Sequence, residues 1–176
     1  KGDVVDYVTE HINQNEWNFH HHKPEIDTIE IDENLRHILK GKGYRAVHDD
    51  FLTYNTYKSY DAIVMNPPFS DGDKHLLKAL ELQKYGGKIV CLLNAETIRN
   101  PYTNTRKELV RKLEDLNAEI EYIQDAFADA ERKTEVEVAL IRVDVPVAKR
   151  TSIILDGLQQ KEEFINVTKE PEQVVE

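Results

Sequence analysis

Asn66-Pro67-Pro68-Phe69 is the stretch of this 176-residue chain whose residue types carry the most chemistry. It closes an apolar run from Tyr60 to Met65 that only Asp61 interrupts. Two consecutive prolines remove two backbone donors and fix two φ angles. Proline also drives its predecessor towards extended geometry, so Asn66 does not open an ordinary helix. The expected product is a stiff turn that presents the Asn66 amide and the Pro67 carbonyl in fixed directions. Both oxygens can accept hydrogen bonds from one amino group, and Phe69 adds an aromatic face beside them. That set suits a planar ring bearing an exocyclic or amide nitrogen. The plainer alternative is a proline-rich strand-to-helix turn with a core phenylalanine.

Two acidic turns lie upstream. Ile29-Glu30-Ile31-Asp32 ends a short apolar segment. An acid at such a strand end can accept both ribose hydroxyls of an adenosine cofactor, as in dinucleotide-binding folds. A solvated strand-end charge is the simpler reading. His48-Asp49-Asp50-Phe51 ends another short segment and reads, by itself, as an acidic turn with one buried aromatic.

Strands and helices must place these turns. Val4, Val5, Val8 and Ile12 fall at helical spacing over 3–14. A polar break at His20-His21-His22-Lys23-Pro24 precedes a short strand over 26–31. The pattern then predicts a helix over about 33–41, capped by Asp32 and stopped near Gly41 or Gly43. Strands follow at 45–48 and 60–65, then a helix over 72–85 stopped by Gly86-Gly87. A strand over 88–93, a helix over 104–116 and strands at 119–124 and 135–143 complete the series. Strands alternating with helices imply an α/β sandwich with a mostly parallel sheet, and the last two strands, with no helix between them, form an antiparallel pair. In open sheets of this kind ligands bind beyond the carboxyl ends of the strands, which is where all three turns fall.

Composition narrows the function further. The net charge is −10, from 23 Lys and Arg against 33 Asp and Glu, which excludes a uniformly basic nucleic-acid binder and restricts any such contact to a local patch. No apolar run approaches the ~20 residues of a membrane span, and no membrane partner is expected. One cysteine, Cys91, excludes a disulfide framework and a multi-cysteine zinc site, and points to a reducing compartment, most simply the cytoplasm. The length suits one domain, placed at 1–146, with 147–176 as an acidic extension or linker.

Asn-Pro-Pro-Phe at a strand end resembles the catalytic signature of class I S-adenosylmethionine-dependent methyltransferases that modify amino or amide nitrogens, and above all that of adenine-N6 DNA methyltransferases. The resemblance covers roughly residues 1–145. It implies a Rossmann-like fold and S-adenosylmethionine as cofactor, with Asn66, Pro67, Pro68 and Phe69 as catalytic residues. It places Glu30 on the cofactor ribose, Asp50 and Phe51 on its adenine, and Asn66 within reach of both cofactor and target. DNA is the implied partner, with RNA or a protein glutamine as alternatives, as is a non-catalytic domain that keeps the fold but not the cofactor site. No room remains for a target-recognition region, which is expected outside this chain. The family's first strand, which lies between the second and fourth, has no counterpart here. Lys1-Gly2-Asp3 reads as the end of its glycine-rich turn, with Gly2 as the retained cofactor-facing glycine. On this reading the chain is an N-terminally incomplete domain, or another strand fills the gap.

Residues 99–112 hold Arg99, Arg106, Lys107, Arg111 and Lys112 against Glu108 alone, the one basic cluster in an acidic chain. Arg99, Tyr102 and Arg106, with Phe69, are the candidate substrate contacts; a solvated helix face and a packed tyrosine are the alternatives. His20-His21-His22 lacks partners at metal-ligand spacing and reads as a solvated loop, so no metal is expected. Cys91 reads as inert core.

Overall fold

The structure, a computed structural model, describes residues 3–14, 25–124 and 136–147. The elements run α1 (Asp3–Gln14), β1 (Asp27–Ile29), α2 (Glu33–Gly41), β2 (Arg45–His48), β3 (Ala62–Met65), α3 (Gly72–Leu82), β4 (Gly87–Asn94), α4 (Glu96–Arg99), α5 (Asn104–Asp115), β5 (Glu119–Ile123) and β6 (Val138–Val145).

Local chemistry accounts for the boundaries. Asp32 caps α2, its Oδ1 accepting from the Leu35 backbone N–H at 3.0 Å. Thr103 caps α5 through the Arg106 N–H at 3.2 Å. The helix expected to run to residue 85 ends at Leu82. Gln83 stops it: its side chain is buried and donates to the Tyr60 carbonyl at 3.0 Å, fixing the chain just ahead of Gly86 and Gly87 at φ +122° and +129°. Only glycine holds that left-handed region cheaply. The four-residue α4 is too short to leave a periodic signature, and sequence reasoning missed it.

Strands β1 and β2 pair in parallel as one two-stranded sheet. The second sheet has the order β3-β4-β6-β5, with β3 and β4 parallel and β6 antiparallel to both neighbours. The mostly parallel pattern with an antiparallel final strand therefore holds. The core lies on one face of the larger sheet. Ile89, Cys91 and Leu93 of β4 and Ala139, Ile141 and Val143 of β6 are buried against Leu76, Ala79 and Leu80 of α3 and Leu109 and Leu113 of α5. Cys91 is fully enclosed there, and burial pushes its thiol pKa up to about 12, consistent with an inert core residue.

The two sheets meet at the starts of β1 and β3. Asp27 opens β1 and accepts from Arg45 on β2 and from Lys58 and Tyr60 ahead of β3. Further along, no ladder joins β1 to β3, and no strand among the described residues lies between them. Val64 on β3 is left 45% exposed. No helix among the described residues is long and apolar enough to cross a membrane.

Candidate functional site

The exits of β1, β2, β3 and β4 share one edge. Within each sheet these strands are parallel, and the contact of Asp27 with Tyr60 puts the starts of β1 and β3 together. At the other end, Phe51 beyond β2 stacks on His75 of α3, ring centroids 6.0 Å apart and planes 9° from parallel. The exits of β2 and β3 are thereby joined.

Asn66 leaves β3 immediately after Met65, which pairs with Cys91 of the buried strand β4. Its side chain is exposed and takes no hydrogen bond from the described residues. Pro67 is buried and Phe69 half-buried. The Pro68 carbonyl accepts from the Asp71 N–H at 3.2 Å and closes the turn into α3. Gly72 begins that helix against β4, where an added Cβ would lie 2.5 Å from Leu93 Cδ2. The turn is thus clamped between two prolines and a close helix contact, and it offers a free amide at a fixed position. Beside it, Asp71 is held below the usual carboxylate range by the Lys74 ammonium and the Ser70 hydroxyl.

Glu30 follows β1 directly. Its Oε1 accepts from the Asp32 N–H at 3.0 Å, and its carbonyl accepts from Arg36 at 2.8 Å. One carboxylate oxygen orients the side chain while the other takes no bond from the described residues. Asp32 is occupied as the α2 cap, as its type and position predict. Asp50 repeats the device: Oδ1 accepts from the Leu52 N–H at 2.9 Å, leaving Oδ2 without a partner among the described residues. His48 supports this turn, its Nδ1 accepting from the N–H groups of Asp49 and Asp50 at 2.9 and 3.1 Å. Phe51 is half-buried, packed towards the core and onto His75.

Two further residues at this edge were not singled out in the sequence. Ile31, next to Glu30 in the chain, is an apolar side chain left 72% exposed. Its signal was an isoleucine between two acids, which the strand alternation had absorbed. His75 stacks under Phe51, a pairing visible only in three dimensions.

The basic cluster divides. Arg99 pairs with Glu137 at 2.6 Å and lies 4.1 Å over the Tyr122 ring, which ties α4 to the end of β5 and the start of β6. Lys112 pairs with Glu108. Arg106 instead covers the exposed ring of Tyr102 at 4.6 Å. Gly2, His20, His21 and His22 and residues 148–176 of the extension lie outside the described residues. Among the described residues no cluster of His, Cys, Asp or Glu is placed to hold a metal ion.

No family model and no curated protein matches the chain. Solved structures do. The 23S rRNA methyltransferase ErmE matches over 82% of this chain at 20% identity and a TM-score of 0.51. An S-adenosylmethionine-dependent O-methyltransferase from Thermotoga maritima matches over 74% of it at 18% identity and a TM-score of 0.42. The chain spans 63% of the first and 52% of the second. The likeness to the first of these shows the fold, which is the Rossmann-like class I methyltransferase fold.

Proposed function

We propose that residues 1–146 form an S-adenosylmethionine-dependent N-methyltransferase domain acting on the exocyclic N6 amino group of adenine in a nucleic acid, with 147–176 as an extension. One observation carries this reading. An exposed Asn66, without a hydrogen-bond partner among the described residues, stands in a rigid Asn-Pro-Pro-Phe turn, on the same sheet edge as two carboxylates that each keep one oxygen unbonded by those residues.

The residues fit the cofactor. Glu30 has a carboxylate oxygen available for ribose hydroxyls, Asp50 has one for an adenine amino group, and Ile31 supplies an apolar flank. When bound, the cofactor provides a methyl group already activated by a sulfonium, so the protein's task is alignment and electrostatic tuning. The target amino nitrogen is a poor nucleophile because its lone pair is delocalised into the ring. Hydrogen bonds from its two N–H groups to Asn66 and the Pro67 carbonyl hold the nitrogen in a more tetrahedral form. Phe69 packs on the base. A neutral amide at this position orients and does not act as a general base, so the proton displaced from the methylated nitrogen passes to water. In a duplex the base must first leave the stack, at a cost of a few kcal/mol. A strand seated between β1 and β3 would complete the cofactor floor.

DNA is the substrate that the Asn-Pro-Pro-Phe resemblance favours. RNA is the second reading, favoured by the likeness to a 23S rRNA methyltransferase. A transfer assay with labelled methyl donor against adenine-containing DNA, RNA and protein decides among them. Label in N6-methyladenine, lost in Asn66→Ala, is the expected result. Label confined to protein overturns the nucleic-acid assignment.

A further inference from the structure

The geometry points to Tyr102 and Arg106 as a stacking clamp for an unpaired base of the nucleic-acid substrate, next to the catalytic edge. The inference rests on the proposed nucleic-acid substrate and specifies its form, a single strand or loop in preference to an intact duplex.

The clamp lies at the right edge of the fold. β4 runs parallel to β3 and continues three residues past the level of Met65, from Cys91 to Asn94. The short α4 keeps the chain at that edge, and α5 then starts there to lead back to β5. Tyr102 sits in the connection between the two helices. Its backbone N–H donates to the Asn100 carbonyl at 2.9 Å, Pro101 precedes it, and Thr103 caps α5 immediately after it. The tyrosine is therefore held outward, 69% exposed, on a constrained backbone. The Arg106 guanidinium covers the ring at 4.6 Å. The opposite face of a tyrosine so held is a ready partner for a flat base.

Charge separates this pair from its neighbours. Arg99 is committed to Glu137, a side chain that also accepts from Gln124 at 2.8 Å, so that Arg–Tyr stack is a structural tie. Lys112 is neutralised by Glu108. Arg106, Lys107 and Arg111 have no carboxylate partner among the described residues. In a chain of net charge −10, these three cations on the helix that begins beside the exposed ring, with Arg106 lying on the ring itself, supply local positive charge for phosphates. Stacking on neighbours hides the faces of bases in a duplex, so the ring is available to the unstacked bases of a single strand or loop.

Binding of fluorescently labelled oligonucleotides to the native-length protein, by anisotropy over a range of salt, tests this. Single strands and duplexes of one adenine-containing sequence are compared, in DNA and RNA versions. Tyr102→Ala is expected to weaken single-strand binding about tenfold and leave duplex binding unchanged, while Tyr102→Phe keeps wild-type affinity. Arg106→Gln is expected to lower the salt slope by about 0.7, the share of one phosphate contact on a single strand. Unchanged circular dichroism and cofactor affinity show that the variants fold. Equal single-strand binding by wild type and Tyr102→Ala, or preference of the wild type for duplex, overturns the clamp and leaves the nucleic-acid reading standing. Failure of the wild type to bind any of the oligonucleotides overturns both.

Discussion

The Tyr60 hydroxyl donates to Asp27 Oδ2 across 2.8 Å, and this bond joins two sheets that share no ladder. Asp27 also accepts from Arg45 through both oxygens, at 2.7 and 3.1 Å, and from Lys58 at 2.9 Å, with only 5% of its side chain exposed. Tyr54 extends the network, its hydroxyl 2.7 Å from that of Tyr60. The edge carrying the candidate site lies at the opposite end of these strands. Asp27 therefore acts on the site by fixing the two-stranded sheet, with Glu30 and Asp50 at its exits, against the sheet that carries Asn66.

Removing that charge should loosen the molecule. Asp27→Asn is expected to destabilise it by about 3 kcal/mol, because two cations and a hydroxyl lose a nearly buried partner. Urea unfolding measures this. A loss below about 0.5 kcal/mol would mean that the two sheets are held by something else.

The pH dependence follows from the same residue. Burial opposes ionisation of Asp27, but the bonds from Arg45, Lys58 and Tyr60 outweigh it and hold the carboxyl below the usual carboxylate range. A depressed folded pKa gives stability that is complete above the unfolded value of about 3.9 and is lost as pH falls through the folded one. Tyr60 moves the other way, raised first by burial and then by its bonds to Tyr54 and Asp27. Its contribution is complete below about pH 10 and is lost as pH rises beyond. Unfolding free energy should fall below about pH 4 in the wild type, and less steeply in Asp27→Asn. Identical acid limbs would contradict the assignment.

The Asn66 turn depends on a missing side chain. Gly72→Ala would place a methyl group against Leu93, which is fully buried and cannot swing away. A cost of about 1–3 kcal/mol is expected, with transfer falling further than the stability loss explains, because the displaced helix carries the Asn66 turn with it. A variant of wild-type stability would show that the packing at this point is loose.

Asn66 should separate chemistry from binding. Asn66→Ala is expected to lower methyl transfer by about a hundredfold or more, with cofactor affinity within a few-fold of wild type. Calorimetry alongside single-turnover transfer distinguishes the two effects. An equally large loss of cofactor affinity would reassign Asn66 to the cofactor.

Much of this arrangement is legible in the residues themselves. Asp32 is an N-cap by type and position, and it caps. The apolar run to Met65 ends at two prolines, and the strand ends with it. Parallel β1–β2 and β3–β4 pairs follow from alternation of strand and helix. Long-range relations are not legible. Nothing local says that Asp27 gathers Arg45, Lys58 and Tyr60, or that Phe51 reaches His75, because these pairs are set by tertiary packing. The basic residues at 99–112 read as one cluster, yet Arg99 is taken by Glu137, which is 38 positions further along the chain. Ile31 was hidden for the opposite reason. Its type fits a strand, and only its exposure brings it into the proposed site.

The most direct test is S-adenosylmethionine binding to the native-length protein by calorimetry, with Asp50→Ala and Glu30→Ala measured beside it. Saturable binding to the wild type, weakened about tenfold or more in each variant, is the expected result. Absence of binding by the wild type, or full affinity in both variants, would contradict the assignment of this edge as a cofactor site and reduce Asn66 to a structural turn.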